Sequence, residues 1–122
     1  MNDYHSLLLA ARNASNSAYS PYSNYKIGAA VLCSDGTIVT GCNIENKSFG
    51  LTICAERVAI FNAISNSLKP TKIALSGMVQ NKWATPCGAC RQVMAEFFSN
   101  DTMIMIDGHG LISLSQLLPY QF

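Results

Sequence analysis

The sequence predicts an α/β fold, a three-layer α-β-α arrangement around a mixed five-stranded sheet. Three observations carry that expectation. Helical and strand-like apolar patterns alternate along the 122 residues in the order α-β-β-α-β-α-β-β-α. Two connections between β-rich runs hold a helical pattern, the mark of right-handed β-α-β crossovers and parallel pairing. An Asp-Gly turn between the first two β-rich runs adds an antiparallel strand. A chain of this length makes one domain of ordinary size, so residues 1–122 read as a single unit that needs no disulfide staples.

Residues 3–15 read as the first helix, with Asn2 or Asp3 as N-cap and Leu7, Leu8, Ala11 and Ala14 on one side. The polar stretch from Asn13 to Asn24 reads as that helix's end followed by an ordered loop. Residues 27–33 and 37–43 are β-rich runs either side of Ser34-Asp35-Gly36, whose glycine supplies the positive φ of a hairpin. From 54 to about 68 the pattern is helical. Val58, Ile60, Phe61, Ala63 and Ile64 cover most of that helix's circumference, which predicts packing inside an assembly rather than on its rim. Residues 73–79 form a short apolar strand. A second strong helix spans 88–99, with Cys90, Val93, Met94 and Phe97 at i, i+3, i+4 and i+7. Residues 103–106 are continuously apolar, as in a strand covered on both faces. A strand at 111–114 and a helical turn at 115–118 complete the chain.

Eight Lys and Arg against seven Asp and Glu give a net charge of +1. Neither a basic field for nucleic acid nor an acidic tail exists. Only 12% of residues are charged, about half the ordinary fraction. Either the ten Asn and thirteen Ser solvate the surface, or part of that surface is buried between subunits. No apolar run approaches the ~18–20 residues of a membrane span. Leu7-Leu8-Leu9, flanked by Asp3 and Arg12, is too short for a signal-peptide core. An odd five cysteines then point to thiols used for metal or catalysis in a reducing compartment, the cytoplasm.

Three of those cysteines stand at helix starts. Cys54 opens the first crossover helix, and Cys87 and Cys90 open the second in Thr85-Pro86-Cys87-Gly88-Ala89-Cys90. In α/β folds such helix starts share one rim of the sheet. Helix N-termini carry partial positive charge, so thiols there ionise easily. Three thiolates make a zinc site with one coordination position open. Glu56, two residues after Cys54, reaches that position without being a ligand. Zinc lowers the pKa of a bound water towards ~7, and a neighbouring carboxylate can move its proton. Competing readings exist: Cys-x-x-Cys also suits a redox pair, and Cys42 could close a four-cysteine knuckle. Cys33, mid-strand, reads as a small buried apolar residue. His5 and His109 lack ligand-like spacing and read as surface residues.

Cys54-Ala55-Glu56 with Pro86-Cys87-Gly88-Ala89-Cys90 matches the three-cysteine form of the zinc nucleobase deaminase pattern. Pro21-Tyr22-Ser23, Ile27-Gly28-Ala29-Ala30, Gly41-Cys42-Asn43-Ile44-Glu45-Asn46, Cys54-Ala55-Glu56-Arg57 and Pro86-Cys87-Gly88-Ala89-Cys90-Arg91-Gln92-Val93 follow in order. Together they resemble the small homotetrameric cytidine deaminases, from the first helix to Leu117-Leu118-Pro119. Lys47-Ser48 departs from the family's small residues at that point.

The resemblance implies hydrolytic deamination of free cytidine and deoxycytidine in pyrimidine salvage, with one zinc per chain on Cys54, Cys87 and Cys90. It makes Glu56 the catalytic proton shuttle between ring N3 and the departing amine. It places Asn43 and Glu45 on the ribose hydroxyls. Two residues apart at a strand end, they share one side of the rim, although a merely capped strand end fits them too. Ala55 and Tyr25 fall beside the substrate, and Phe122 where a C-terminal Phe packs on a neighbouring subunit's substrate. Tyr25 and Phe122 also suit ordinary core positions. Zinc with three thiolates is net negative, and Arg57, with Arg91 as a second donor, would restore its Lewis acidity by donating to the sulfurs. Both arginines could instead make surface ion pairs. A homotetramer acting on a small nucleoside, with no nucleic-acid or membrane partner, is the expected whole. A deaminase of a nucleoside antibiotic, a polynucleotide editor and a non-catalytic zinc-stabilised module are the alternatives.

Overall fold

The computed structural model describes residues 3–122, so Asn2 as a helix cap lies outside the described residues. In chain order the elements are α1 (Asp3–Ala14), β1 (Ile27–Cys33), β2 (Ile38–Cys42), α2 (Ala55–Ser65), β3 (Pro70–Val79), β4 (Lys82–Trp83), α3 (Gly88–Phe97), β5 (Met103–Ile106), β6 (Gly110–Ser113) and α4 (Leu114–Leu117). The mixed sheet runs β2-β1-β3-β5-β6, with β4 paired to β3 beside that path.

Two expectations need correction. The sheet has six strands rather than five. Its extra member, β4, pairs Met78 with Trp83 and Val79 with Lys82. The turn between them places Gln80 and Asn81 at φ 52° and 63°, the geometry of a two-residue hairpin built without glycine. The second correction concerns the first crossover. It returns the chain in parallel, but β1 lies between β2 and β3 and pairs antiparallel with both. Only the second crossover yields a parallel pair, β3 with β5. Boundaries shift by small amounts for local reasons. α2 stops at Ser65, and Ser67 beyond it takes φ 59°. Ser113 ends β6 because its hydroxyl and Gln116 form a capping box that starts α4 one residue early.

The two faces of the sheet carry different loads. Leu7 and Ala11 of α1 pack on Ala30 and Ala74. Gly28 lets α1 approach closely: a Cβ there would lie 2.0 Å from the Ala11 carbonyl oxygen. On the other face Ala59, Ile60 and Ala63 of α2 and Met94 of α3 join Val31, Ile73, Leu75, Ile104 and Ile106. Truncating a fully buried Ile60 or Met94 to Ala costs about 2–5 kcal/mol. Gly41 seats α2 on the sheet, since a Cβ there would stand 2.4 Å from the Ala59 nitrogen. Cys33 is buried in this core, as its mid-strand position indicates. The apolar circumference of α2 divides: Ala59, Ile60 and Ala63 face inward, whereas Phe61 and Ile64 remain exposed. This packing brings the N-termini of α2 and α3 together at one rim.

Candidate metal centre and active site

Cys54 and Cys87 are the N-caps of α2 and α3, both in extended backbone. Cys90 lies one turn into α3, and its N–H donates to the Cys87 sulfur at 3.4 Å. The Cys54 Sγ stands 3.6 Å from that of Cys87, which stands 3.5 Å from that of Cys90. All three sulfurs fall within 4.8 Å of one another. A tetrahedral zinc with bonds of ~2.3 Å needs sulfurs roughly 3.8 Å apart, so the cluster fits that ion. Among the described residues no His, Asp, Glu or further Cys joins the group. Cys42 stays on β2 outside it, and the closed knuckle lacks its fourth ligand.

The electrostatics of the rim divide the labour. Cys54 is pulled down to about 5, first by a hydrogen bond from Cys90 and then by Arg57 and Cys87, against the cost of burial. Cys90 is pushed up by sharing its proton with Cys54 and by burial. Arg57 donates from Nη2 to the Cys54 sulfur at 3.5 Å, and that partner holds its guanidinium firmly charged. Its Nε is buried with no hydrogen-bond partner among the described residues. Arg91 does something else. Its guanidinium donates to the backbone carbonyls of Pro86 and Leu117, each at 2.8 Å.

Glu56 sits in the first turn of α2, only 3% exposed. Burial pushes its carboxyl up to about 7, with help from the Cys54 charge. It stands with Cys54, Ala55 and Cys87 in the wall of a cavity of about 420 Å³. A carboxyl near neutrality beside a metal's open position can both accept and donate a proton.

Asn43, Glu45 and Tyr25 line the same cavity. The Asn43 Oδ1 accepts from the Ile27 N–H at 2.9 Å, and its Nδ2 donates to the Tyr25 carbonyl at 2.8 Å. Its amide thus fixes the entry to β1. Glu45 accepts from the Tyr22 and Ser23 N–H groups at 2.9 and 3.2 Å, and from the Ser23 hydroxyl. Those bonds, the Ser23 hydroxyl first, hold its carboxyl below the ordinary range. Phe122 stands fully exposed and is not among the residues lining this chain's cavity.

Sequence reasoning assigned no role to Ser23, Phe49, Thr52, Val79, Ala84 or Thr85, all of which line the cavity. For Ser23 the signal was present in Pro21-Tyr22-Ser23, whose loop clips Glu45 in place. Phe49 offered another, a large apolar residue in a polar loop that is 87% exposed.

A family model described as "Cytidine and deoxycytidylate deaminase zinc-binding region" matches residues 1–106. The chain belongs to the cytidine deaminase family. A cytidine deaminase from Halalkalibacterium halodurans is 43% identical over 125 residues, covering 98% of this chain and 94% of that protein. Another, from Sporosarcina psychrophila, is 47% identical over 96 residues, covering 78% of this chain and 70% of its own. The crystal structure of a cytidine deaminase from Burkholderia pseudomallei superposes with a TM-score of 0.89 at 40% identity, over the whole of both chains. Membership and the three-sulfur cluster together make zinc the cofactor. The shared fold sets helices against a mixed sheet, and in this chain the metal cysteines start two of those helices.

Proposed function

We propose that this chain is a zinc-dependent hydrolase that deaminates free cytidine and deoxycytidine to uridine and deoxyuridine, releasing ammonia. One observation carries the reading. Three clustered sulfurs are joined by no fourth ligand among the described residues, and Cys54 and Cys87 of that cluster stand in the wall of one cavity with the buried carboxyl of Glu56. That cavity, about 420 Å³, suits one nucleoside. The two relatives named above are each called a cytidine deaminase, and that supports the substrate.

Cys54, Cys87 and Cys90 hold the ion, which when bound makes a water nucleophilic near neutral pH. Glu56 takes the proton of the water that attacks C4 of the base. It passes that proton to ring N3, then carries the proton of the new C4 hydroxyl to the exocyclic nitrogen as the C4–N bond breaks and the C4 carbonyl forms. Burial keeps its carboxyl poised for both directions. Arg57, donating to Cys54, withdraws charge from the sulfur and keeps the ion electrophilic. Asn43 and Glu45 orient the ribose, Ala55 and Tyr25 flank the base, and Phe122 reaches a neighbouring subunit's substrate. We further read residues 1–122 as one domain, working in the cytoplasm as a homotetramer. Exposed Phe61 and Ile64 on α2 supply apolar surface for that assembly, and sedimentation as a single chain would overturn it.

The decisive assay mixes purified protein with cytidine and follows the absorbance change as uridine forms. Glu56→Gln should stop turnover while one zinc per chain remains bound. Undiminished turnover in that variant would remove Glu56 from its role.

A further inference from the structure

We infer that Arg91 is a positioning residue that sets the Cys87 limb of the zinc site and couples it to the C-terminal helix α4. The argument begins with two carbonyls. Pro86 is buried immediately before the ligand Cys87, and a buried carbonyl without a partner costs about 1–3 kcal/mol. Leu117 ends α4, a helix of four residues, so its carbonyl lies beyond any intrahelical donor. One guanidinium serves both. Nε donates to the Pro86 oxygen and Nη1 to the Leu117 oxygen, each at 2.8 Å.

The side chain is anchored at its own base as well. Arg91 follows Cys90 directly, and its backbone N–H donates to the Cys87 carbonyl at 3.0 Å. The residue therefore holds the carbonyls of both Pro86 and Cys87, bracketing the N-cap whose sulfur binds metal. A planar fork with several donors can bridge two carbonyls in fixed geometry, whereas an ammonium behaves as a point charge on a flexible stem. No carboxylate ion-pairs with Arg91 among the described residues. Its work is geometric: it fixes the loop from which Cys87 reaches the ion, and it ties that loop to residues 114–117.

This inference rests on the zinc reading of the cluster, and its test separates the two. Zinc-loaded wild type, Arg91→Lys and Arg91→Met are challenged with a chromogenic chelator, and zinc content is measured beside cytidine turnover. Arg91→Met should surrender zinc at a chelator concentration about 10–100-fold lower than wild type. Arg91→Lys, able to satisfy one carbonyl, should fall between them. Turnover per bound zinc should fall far less than zinc retention. Hydrogen exchange supplies a readout that a merely structural arginine would not move: stripping zinc should accelerate exchange at 114–118 in wild type and have little further effect in Arg91→Met. Should Arg91→Met fail to fold, the lysine variant decides by the same chelator comparison. Equal zinc retention in all folded variants, or exchange at 114–118 indifferent to zinc in wild type, overturns the coupling. A wild type that binds no zinc at all would instead overturn the metal reading itself.

Discussion

Two carboxyls are buried at the same end of the sheet, on opposite faces, and they are treated in opposite ways. Asp107, 5% exposed, follows β5 on the α1 side. It accepts from Arg12 Nε and Nη2 at 2.8 and 3.0 Å and from the Ser76 hydroxyl at 2.7 Å. Those partners, Arg12 first, hold its carboxyl below the ordinary range. Glu56, 3% exposed on the α2 side, is pushed up to about 7. Both expose little surface, but Glu56 lies far deeper beneath the protein than Asp107, and their partners differ as well. A carboxylate satisfied on every side stabilises the fold and has little left to offer a substrate. One kept short of compensation costs stability and stays able to exchange a proton.

The largest expected effect breaks the comparison on the catalytic side. Glu56→Gln should lower kcat by about 10³-fold or more, the scale of a lost general acid–base group. Its thermal midpoint should not fall, because the amide removes a poorly compensated charge. A midpoint several degrees lower would show Glu56 to be a stabilising acid like Asp107. The mirror experiment is Asp107→Asn. It should cost about 1–3 kcal/mol in denaturant unfolding, since an amide leaves Arg12 and Ser76 imperfectly paired. Arg12 is half exposed and adds little of that. Turnover per folded molecule should stay within about twofold, because the network lies across the sheet from the cavity.

Glu45 sharpens the contrast as a third case, a carboxylate in the cavity yet satisfied by a loop. Ser23→Ala removes the hydroxyl that holds it. A charge-assisted hydrogen bond that orients the carboxylate is lost, so KM for cytidine should rise several-fold, up to about tenfold, with kcat less affected. An unchanged KM would show that the Tyr22 and Ser23 N–H groups suffice.

These differences explain what was legible in the sequence. The metal cluster could be read because its signal is local: Cys54 and the Cys87–Cys90 pair each start a helix, and the fold brings such starts to one rim. The place of Glu56 beside that cluster could be read for the same reason, since one helical turn ties it to Cys54. Asp107 could not. Its partners, Arg12 and Ser76, lie 95 and 31 residues away, and no spacing rule joins an α1 arginine to the turn after β5. The strand β4 escaped because Gln80 and Asn81 adopt positive φ without the glycine that usually announces it. The position of β1 between β2 and β3 escaped because the crossover pattern gives strand direction, not adjacency. Arg91 was readable as a cation near the sulfurs, yet its partners are carbonyls, which carry no sequence signature.

The smallest effect concerns acid, and it follows from the sign of the Asp107 shift. Its folded carboxyl sits below the unfolded value of ~3.9. Between those two values the unfolded chain binds the proton and the folded one does not, so stability falls as pH drops. The Asp107 contribution is therefore fully present above the unfolded value and disappears as pH passes down through the folded one. The amide of the Asp107→Asn variant has no such proton to bind. The stability gap between wild type and that variant should be constant from neutrality to about pH 5 and then shrink below about pH 4. Other lowered carboxyls, Asp35 and Glu45, titrate in both proteins and cancel in the difference. Urea unfolding of the pair at stepped pH measures that gap directly. A gap that held its size down to about pH 3 would mean that Asp107 is kept in place by packing, with its charge contributing nothing. The contrast between the two buried acids would then collapse to Glu56 alone.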